Sequence, residues 1–341
     1  MPTMNIPNLI PFRTKTPPTP NRTRRAVVAL GGGGARGLAH LGVIEVLKQT
    51  RVHVQRYVGV SIGALIGAMC AIDDDILRVQ GKVMGFLDSP GFDHHQQQLF
   101  GSANVPNETA STGIMAWYDR AKYLYSAHRR LTRAVTQQSL LHDAMLTASI
   151  NELIPDVEFS DLPMPLSIVT ADLRSGHRVV LESGSVRRAI HASMALPGIF
   201  PPVEHNGMLL CDIGVVDSIP TAVASAYASD LTILVDIGQR NARMEKFDTA
   251  MDVMMRMQDI GEQILRREKT ELADVHIRPE LTGISWFDFQ NPEEVMDRGR
   301  TAASEEFLRH SFFHTGPSEA AEAATEDHPT PNPTIENVRF R

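Results

Sequence analysis

An α/β fold with a largely parallel central sheet flanked by helices is the class this sequence predicts, and three observations carry it. Strand-like and helix-like segments alternate along the middle of the chain, the pattern produced by parallel strands joined through helical crossovers. The first apolar run ends in four consecutive glycines and passes straight into a helical pattern, "AVVALGGGGARGLAHLG" from Ala26 to Gly42. A second stretch, "YVGVSIGAL", repeats the strand, turn and helix plan around Ser61.

Residues 1–24 are rich in Pro, Thr and Arg without periodicity, and are expected to form a disordered or loosely attached arm. The first strand falls at 26–30, and the spacing of Leu38, Leu41, Ile44 and Leu47 predicts a helix over 36–49. A strand at 57–60 leads into a Gly/Ala-rich helix at 62–71, and Asp73 to Asp75 read as a helix stop rather than a cation site. Residues 85–156 change texture: they lack a clear strand, carry "DHHQQQ" and "SANVPNETAST", then offer the helical run "IMAWYDRAKYLYSAHRRLTRAV". This segment is expected to be an inserted helical cap. Strands at 166–170 and 179–181, a short helix at 186–194 and strands at 208–211 and 231–236 follow. Two amphipathic helices at 248–267 and 292–310 close a single domain spanning 25–314. Residues 315–341 have few large apolar residues until the last positions, which predicts a flexible tail.

Composition excludes several classes. A chain of 341 residues can bury a substantial core, and a net charge of -7 argues against wholesale nucleic-acid binding. Two cysteines, Cys70 and Cys211, lie in apolar runs and read as reduced, buried thiols. Proline breaks the N-terminal stretch repeatedly, so no secretory signal is read, and the longest uncharged stretch, Tyr57 to Ile72, is 16 residues, short of a spanning helix. A cytoplasmic protein is expected. Asp93, His94 and His95 form a polar loop without a third ligand at useful spacing, so no metal is expected there. Nothing in the sequence sets an oligomeric state.

The glycine loop aims backbone amides and a helix N-terminus at an anion. Gly32, Gly34 and Gly37 satisfy the G-x-G-x-x-G spacing of dinucleotide-binding turns. That reading needs an acid about 20 residues on to hold a ribose. The chain offers "TRVHVQRYVGVS" instead, where only Arg51 or Arg56 could favour a 2'-phosphate. The other candidate anion is a transient one formed during acyl transfer. Gly59, Ser61 and Gly63 make a G-x-S-x-G elbow, in which a tight strand-to-helix turn exposes the serine oxygen. Downstream, "LLCDIGVVDSIP" delivers Asp212 to a strand end, followed by Gly214. A buried carboxylate there can accept the serine proton; a turn aspartate that merely caps its loop is the alternative.

Taken together, "GGGGARGLAHLGVIEVL", "GVSIGALIGAM", "ASMALPGIFPPV" and "CDIGVVDSIP" stand in the order of the conserved blocks of the patatin-like phospholipase family, which the chain resembles from about Ala26 to Asp236. The resemblance implies a single patatin-like domain that hydrolyses lipid acyl esters without a cofactor or metal. It implies Ser61 as nucleophile, Asp212 as base in a dyad lacking histidine, and Gly32, Gly33 and Gly34 as oxyanion donors. Arg36 takes the motif's basic position, with Gly37, Gly59, Gly63 and Gly214 supporting the turns. The chain departs from the family pattern at Ile213, where glycine is usual, which puts the level of activity in question. Asp217 is the fallback base.

Three rivals remain open: a Ser-acid-His triad using His276, His310 or His314, a non-catalytic scaffold, and an NAD(P)-dependent oxidoreductase. The cap helix sets Ile114, Tyr118, Ala121 and Tyr125 on one face, near Arg120, Lys122, Arg129, Arg130 and Arg133. Such a face either packs over the site or lies on an anionic membrane as a peripheral contact.

Overall fold

A computed structural model describes residues 23–92, 143–238, 250–285 and 287–310. Residues 1–22 of the expected arm, the cap interior 93–142 with its amphipathic face and His94 and His95, His314 at the end of the expected domain and the tail 315–341 lie outside the described residues, while Arg24, expected in the arm, begins the first strand.

The sheet is built outward from β1 (Arg24–Leu30), which pairs in parallel with β2 (Val52–Val60) on one side and with β7 (Leu231–Val235) on the other. β3 (Leu166–Asp172) continues the parallel array beyond β2, and β8 (Val275–Ile277) beyond β7. Successive residues of β1 point to opposite faces: Ala26, Val28 and Leu30 enter one apolar cluster, Val27 and Ala29 the other. Both faces are covered, which is why the strand reads as an unbroken apolar run rather than an alternating one.

The expected parallel sheet acquires an antiparallel flank at β3. β4 (His177–Leu181) and β6 (Met208–Cys211) both run antiparallel to β3, and β5 (Val203–His205) pairs with β6. Val169 pairs with both Val60 and Val180, and Ala171 with both Arg178 and Cys211. Because a strand has only two edges, β2 and β6 must share one edge of β3 and β4 takes the other. β6 therefore approaches the C-terminal end of β2 head on, and the residues that follow each, Ser61 and Asp212, meet at the level of Thr170. The Thr170 hydroxyl, fully buried, donates to the Cys211 carbonyl at 2.6 Å and pins that junction.

The larger apolar cluster is covered by α1 (Leu38–Lys48), α2 (Ile62–Ile72), α3 (Ile76–Leu87), α4 (Ala144–Leu153), α5 (Val186–Met194) and α8 (Pro292–Leu308). α1 and α8 cross backbone to backbone: a Cβ at Gly42 would lie 1.9 Å from the Met296 carbonyl oxygen, and one at Gly299 2.1 Å from that of Ala39. Asp73 and Asp75 serve the α2–α3 junction, Asp75 capping α3 through the amides of Leu77 and Arg78. α4 occupies the end of the expected cap insertion, yet Leu146, Ile150 and Leu153 are buried in the main core. On the other face lie the short α6 (Thr221–Ala224) and α7 (Ala250–Thr270). Cys70 and Cys211 are unpaired and buried, and burial pushes their thiols up to about 12 and about 11. Both are protonated at neutral pH.

Candidate active site

Ser61 holds the turn between β2 and α2 at φ 53° and ψ -123°, a backbone conformation that non-glycine residues rarely adopt. The glycines around it are required by space. A Cβ at Gly59 would stand 2.4 Å from the Gly63 carbonyl oxygen, and one at Gly63 2.2 Å from that of Leu30. Gly37 serves the same packing from the first loop, where a Cβ would strike Ile62 Cγ1 at 2.3 Å.

The strained elbow is held by a residue that sequence reading passed over. The Ser61 amide donates to Ser193 Oγ at 2.9 Å, and the Ser193 hydroxyl in turn donates to the Val169 carbonyl at 2.8 Å. Ser193 lies on α5 and is fully buried, and the second bond fixes its lone pairs toward Ser61. A Ser193→Ala variant leaves both the amide and the carbonyl without this partner. Denaturant unfolding should show a loss of about 1–3 kcal/mol, together with lower turnover as the elbow relaxes.

Asp212 follows β6 and is 3% exposed. Its carboxylate accepts the Gly214 amide at 2.7 Å, and the Ser61 side chain is near enough to favour its charged form. Burial pushes its carboxyl up to about 6, against the opposing pull of Ser61 and the Gly214 amide. Gly214 is close by necessity, since a Cβ there would lie 2.9 Å from Asp212 Oδ1. Ile213, the departure from the family pattern, sits in a 3-10 turn without positive φ, and its side chain is buried among Val27, Val58, Val60 and Val169. The turn thus makes no demand for glycine at this position.

The glycine loop lies against the elbow, with the Cα of Gly32 so placed that a Cβ would come 3.3 Å from Ser61 Cβ. Its three expected donors are not equivalent. The Gly32 amide donates to the Ser218 carbonyl at 2.8 Å. Gly33 and Gly34 follow, the latter at φ 59°, and start the 3-10 turn that enters α1. Arg36 is buried and turned back on the loop, its Nε donating to the Gly33 carbonyl at 3.2 Å. Burial, and then the neighbouring Arg266, lower it to about 10, which leaves it charged at neutral pH. His40 completes the scaffold. Burial lowers its imidazole to about 4, so the ring is neutral and its Nε2–H donates to the Gly31 carbonyl at 2.8 Å.

The remaining candidates are engaged elsewhere. Asp217 is ion-paired with both Arg178 and Lys269. His276 lies 3.5 Å from Asp236, and His310 3.2 Å from Glu306. Arg56 bonds Glu182 and Ser167 and stacks on Tyr227.

The family model for patatin-like phospholipases matches residues 28–225, more than half of the chain. The chain belongs to that family. The patatin-like region contains the elbow, the Asp212 turn and the glycine loop, and ends before β7 and α7. Relatives of this patatin-like chain include an uncharacterised NTE family protein of Mycobacterium tuberculosis, 30% identical over 218 residues, covering 64% of this chain and 50% of that one. Lysophospholipase NTE1 of Kluyveromyces lactis is 25% identical over 308 residues, covering 83% of this chain and 19% of its own. Patatin-like phospholipase domain-containing protein 6 of Homo sapiens is 27% identical over 216 residues, covering 63% and 13%. The chain thus spans half or less of the length of these relatives. Among the described residues no helix is long and apolar enough to cross a membrane.

Proposed function

We propose that the protein is a serine acyl hydrolase of lipid esters, of phospholipase A or lysophospholipase type. The observation that carries the reading is the juxtaposition of Ser61, strained at positive φ, with the buried carboxylate of Asp212, whose titration the Ser61 side chain lowers. In this mechanism Asp212 accepts the hydroxyl proton as Ser61 Oγ attacks the ester carbonyl. The amides of Gly33 and Gly34 stabilise the oxyanion, and removing one such donor costs about 10²- to 10³-fold in turnover. The tetrahedral intermediate collapses to an acyl-serine, with the proton passing from Asp212 to the departing alcohol. Water, deprotonated by Asp212, then releases the fatty acid.

The relatives support the substrate class, since one named above is a lysophospholipase and another carries a phospholipase domain name. Peripheral contact with a lipid surface in the cytoplasm belongs to the same reading. It is supported by the exposed Val253, Met254, Met257, Ile264 and Leu265 on α7, the helix that packs on the Asp212 turn.

The test is fatty-acid release from phospholipid and lysophospholipid micelles, beside a short-chain chromogenic ester and a fluorophosphonate probe. Labelling and ester turnover by the wild type are expected, with fatty acid released from at least one lipid. Folded protein that neither labels nor hydrolyses any of these would overturn the reading in favour of a non-catalytic patatin-like scaffold.

A further inference from the structure

α7 is turned inside out relative to an ordinary surface helix. Among its described side chains, the outward positions carry Val253, Met254, Met257, Ile264 and Leu265 beside Arg267 and Glu268, while Asp259, Glu262, Arg266 and Lys269 face inward. A helix covering an apolar sheet face normally presents the opposite pattern. Gln258, Glu262, Arg266 and Lys269 reach two segments. On the turn after Asp212, Gln258 Nε2 donates to the Val215 carbonyl at 2.9 Å, Lys269 pairs with Asp217, and the Ser218 hydroxyl donates to Glu262. At the end of β7, Arg266 Nε lies 3.3 Å from Asp236 Oδ1, and the same oxygen accepts the Gly238 amide at 2.9 Å. The guanidinium lies so close over Gly238 that a Cβ there would fall 1.0 Å from Nη2.

Those two segments are also what holds the glycine loop. Gly31 donates to the Val235 carbonyl at 3.1 Å and Gly32 to the Ser218 carbonyl at 2.8 Å, and a Cβ at Gly33 would stand 2.8 Å from Ile237 Cδ1. Glu262 and Arg266, 3.5 Å apart, connect the two segments from behind. With Arg36 and Asp236 they form one ion set in which Arg36, Arg266 and Asp236 are buried and Glu262 is partly exposed, and Arg278 Nε adds a third guanidinium 3.9 Å from Asp236 Oδ2.

Resting on the hydrolase reading, we propose that Glu262 and Arg266 are positioning residues for the reaction: through Ser218 and Asp236 they fix the glycine loop so that the Gly33 and Gly34 amides face the oxyanion. Neither residue lies within the segment matched by the family model, which ends at residue 225. The physical requirement is strict, because a misplacement of about 1 Å in an oriented site costs about 100-fold in rate. Loss of Glu262 removes the acceptor of the Ser218 hydroxyl and one of the two carboxylates that offset Arg36 and Arg266, leaving Asp236, which Arg278 also engages.

The test compares wild type, Glu262→Ala, Glu262→Gln and Ser218→Ala on a soluble short-chain ester, with kcat expressed per fluorophosphonate-titrated site and melting followed in parallel. Glu262→Ala is expected to lower kcat about 10- to 100-fold with KM within about twofold. Glu262→Gln, which keeps an oxygen for the Ser218 hydroxyl, should recover part of that loss. If Glu262→Ala does not fold, Ser218→Ala decides: it cuts the link to the loop, leaves the ion set whole, and should lower kcat per site several-fold. Variants that turn over at the wild-type rate per titrated site, or that change KM alone, overturn the proposal while the wild type remains active. A wild type that neither labels nor turns over removes the hydrolase reading, and this proposal with it.

Discussion

Ser61→Ala is expected to lower ester turnover by about 10⁵- to 10⁶-fold, the scale seen when the nucleophile of a serine hydrolase is removed, and to abolish fluorophosphonate labelling. The expectation follows from three features meeting at one atom. The positive φ of Ser61 brings its side chain out of the sheet at the N-terminus of α2, the buried Asp212 carboxylate stands near it, and the amides of Gly33 and Gly34 lie in the loop packed against it. Stability should hardly change, because the elbow's strain is a property of the backbone and alanine bears the same φ. Mass spectrometry of the labelled wild type should find a single adduct on the peptide that carries Ser61. An adduct on another serine, or turnover that survives the substitution in protein freed of contaminating esterase, would remove Ser61 as nucleophile.

The elbow was legible because its glycines answer local steric demands. Gly59 and Gly63 are needed wherever a strand turns directly into a helix beside another backbone, and that need is written in five consecutive residues. The first glycine loop was legible as an anion-facing turn for the same reason. Which partner its Gly32 amide takes was not, because that is Ser218, a residue 186 positions after Gly32 by the difference of their numbers. Ile213 shows the converse. A family pattern made it look like a defect, yet the turn it occupies has ordinary backbone angles and the apolar cluster beneath it takes its side chain.

The antiparallel flank was hidden as well. β5 and β6 are short strands, of three and four residues, and the direction in which a short strand pairs is set by its partner rather than by its composition. That direction matters, since only an antiparallel β6 on the edge vacated by β2 brings Asp212 back to Ser61. For α7 the apolar periodicity announces an amphipathic helix but not which face turns toward the core. Hydrophobic spacing locates a face, and the default assigns that face to the core. The buried ions Asp236 and Arg36 reverse the assignment here by demanding charged partners from the covering helix.

Asp212→Asn is expected to inactivate the enzyme and stabilise the fold in the same step. Turnover should fall about 10²- to 10⁴-fold, the usual contribution of a general base, because the amide cannot accept the Ser61 proton. For the wild type, the base works only when ionised, so kcat/KM should rise with pH through the titration of Asp212 at about 6. Stability runs the other way. The folded carboxyl titrates above its ordinary 3.8, so the folded state binds the proton more tightly than the unfolded chain does. Its stabilising contribution is full below pH 3.8 and is lost as pH rises through 6. At pH 8 the buried charge therefore costs about 3 kcal/mol, from about two pH units at 1.36 kcal/mol each. Asparagine has no charge to desolvate and keeps an oxygen for the Gly214 amide, so Asp212→Asn should melt several degrees higher than the wild type at pH 8. The gap should narrow toward pH 4, where the wild-type carboxyl is already neutral. Thermal melts of the two proteins across this range check the sign. An Asn variant that melts lower at pH 8, or gains equally at both ends, would mean that Asp212 holds the turn as a favourable carboxylate and is not the strained base that the mechanism requires.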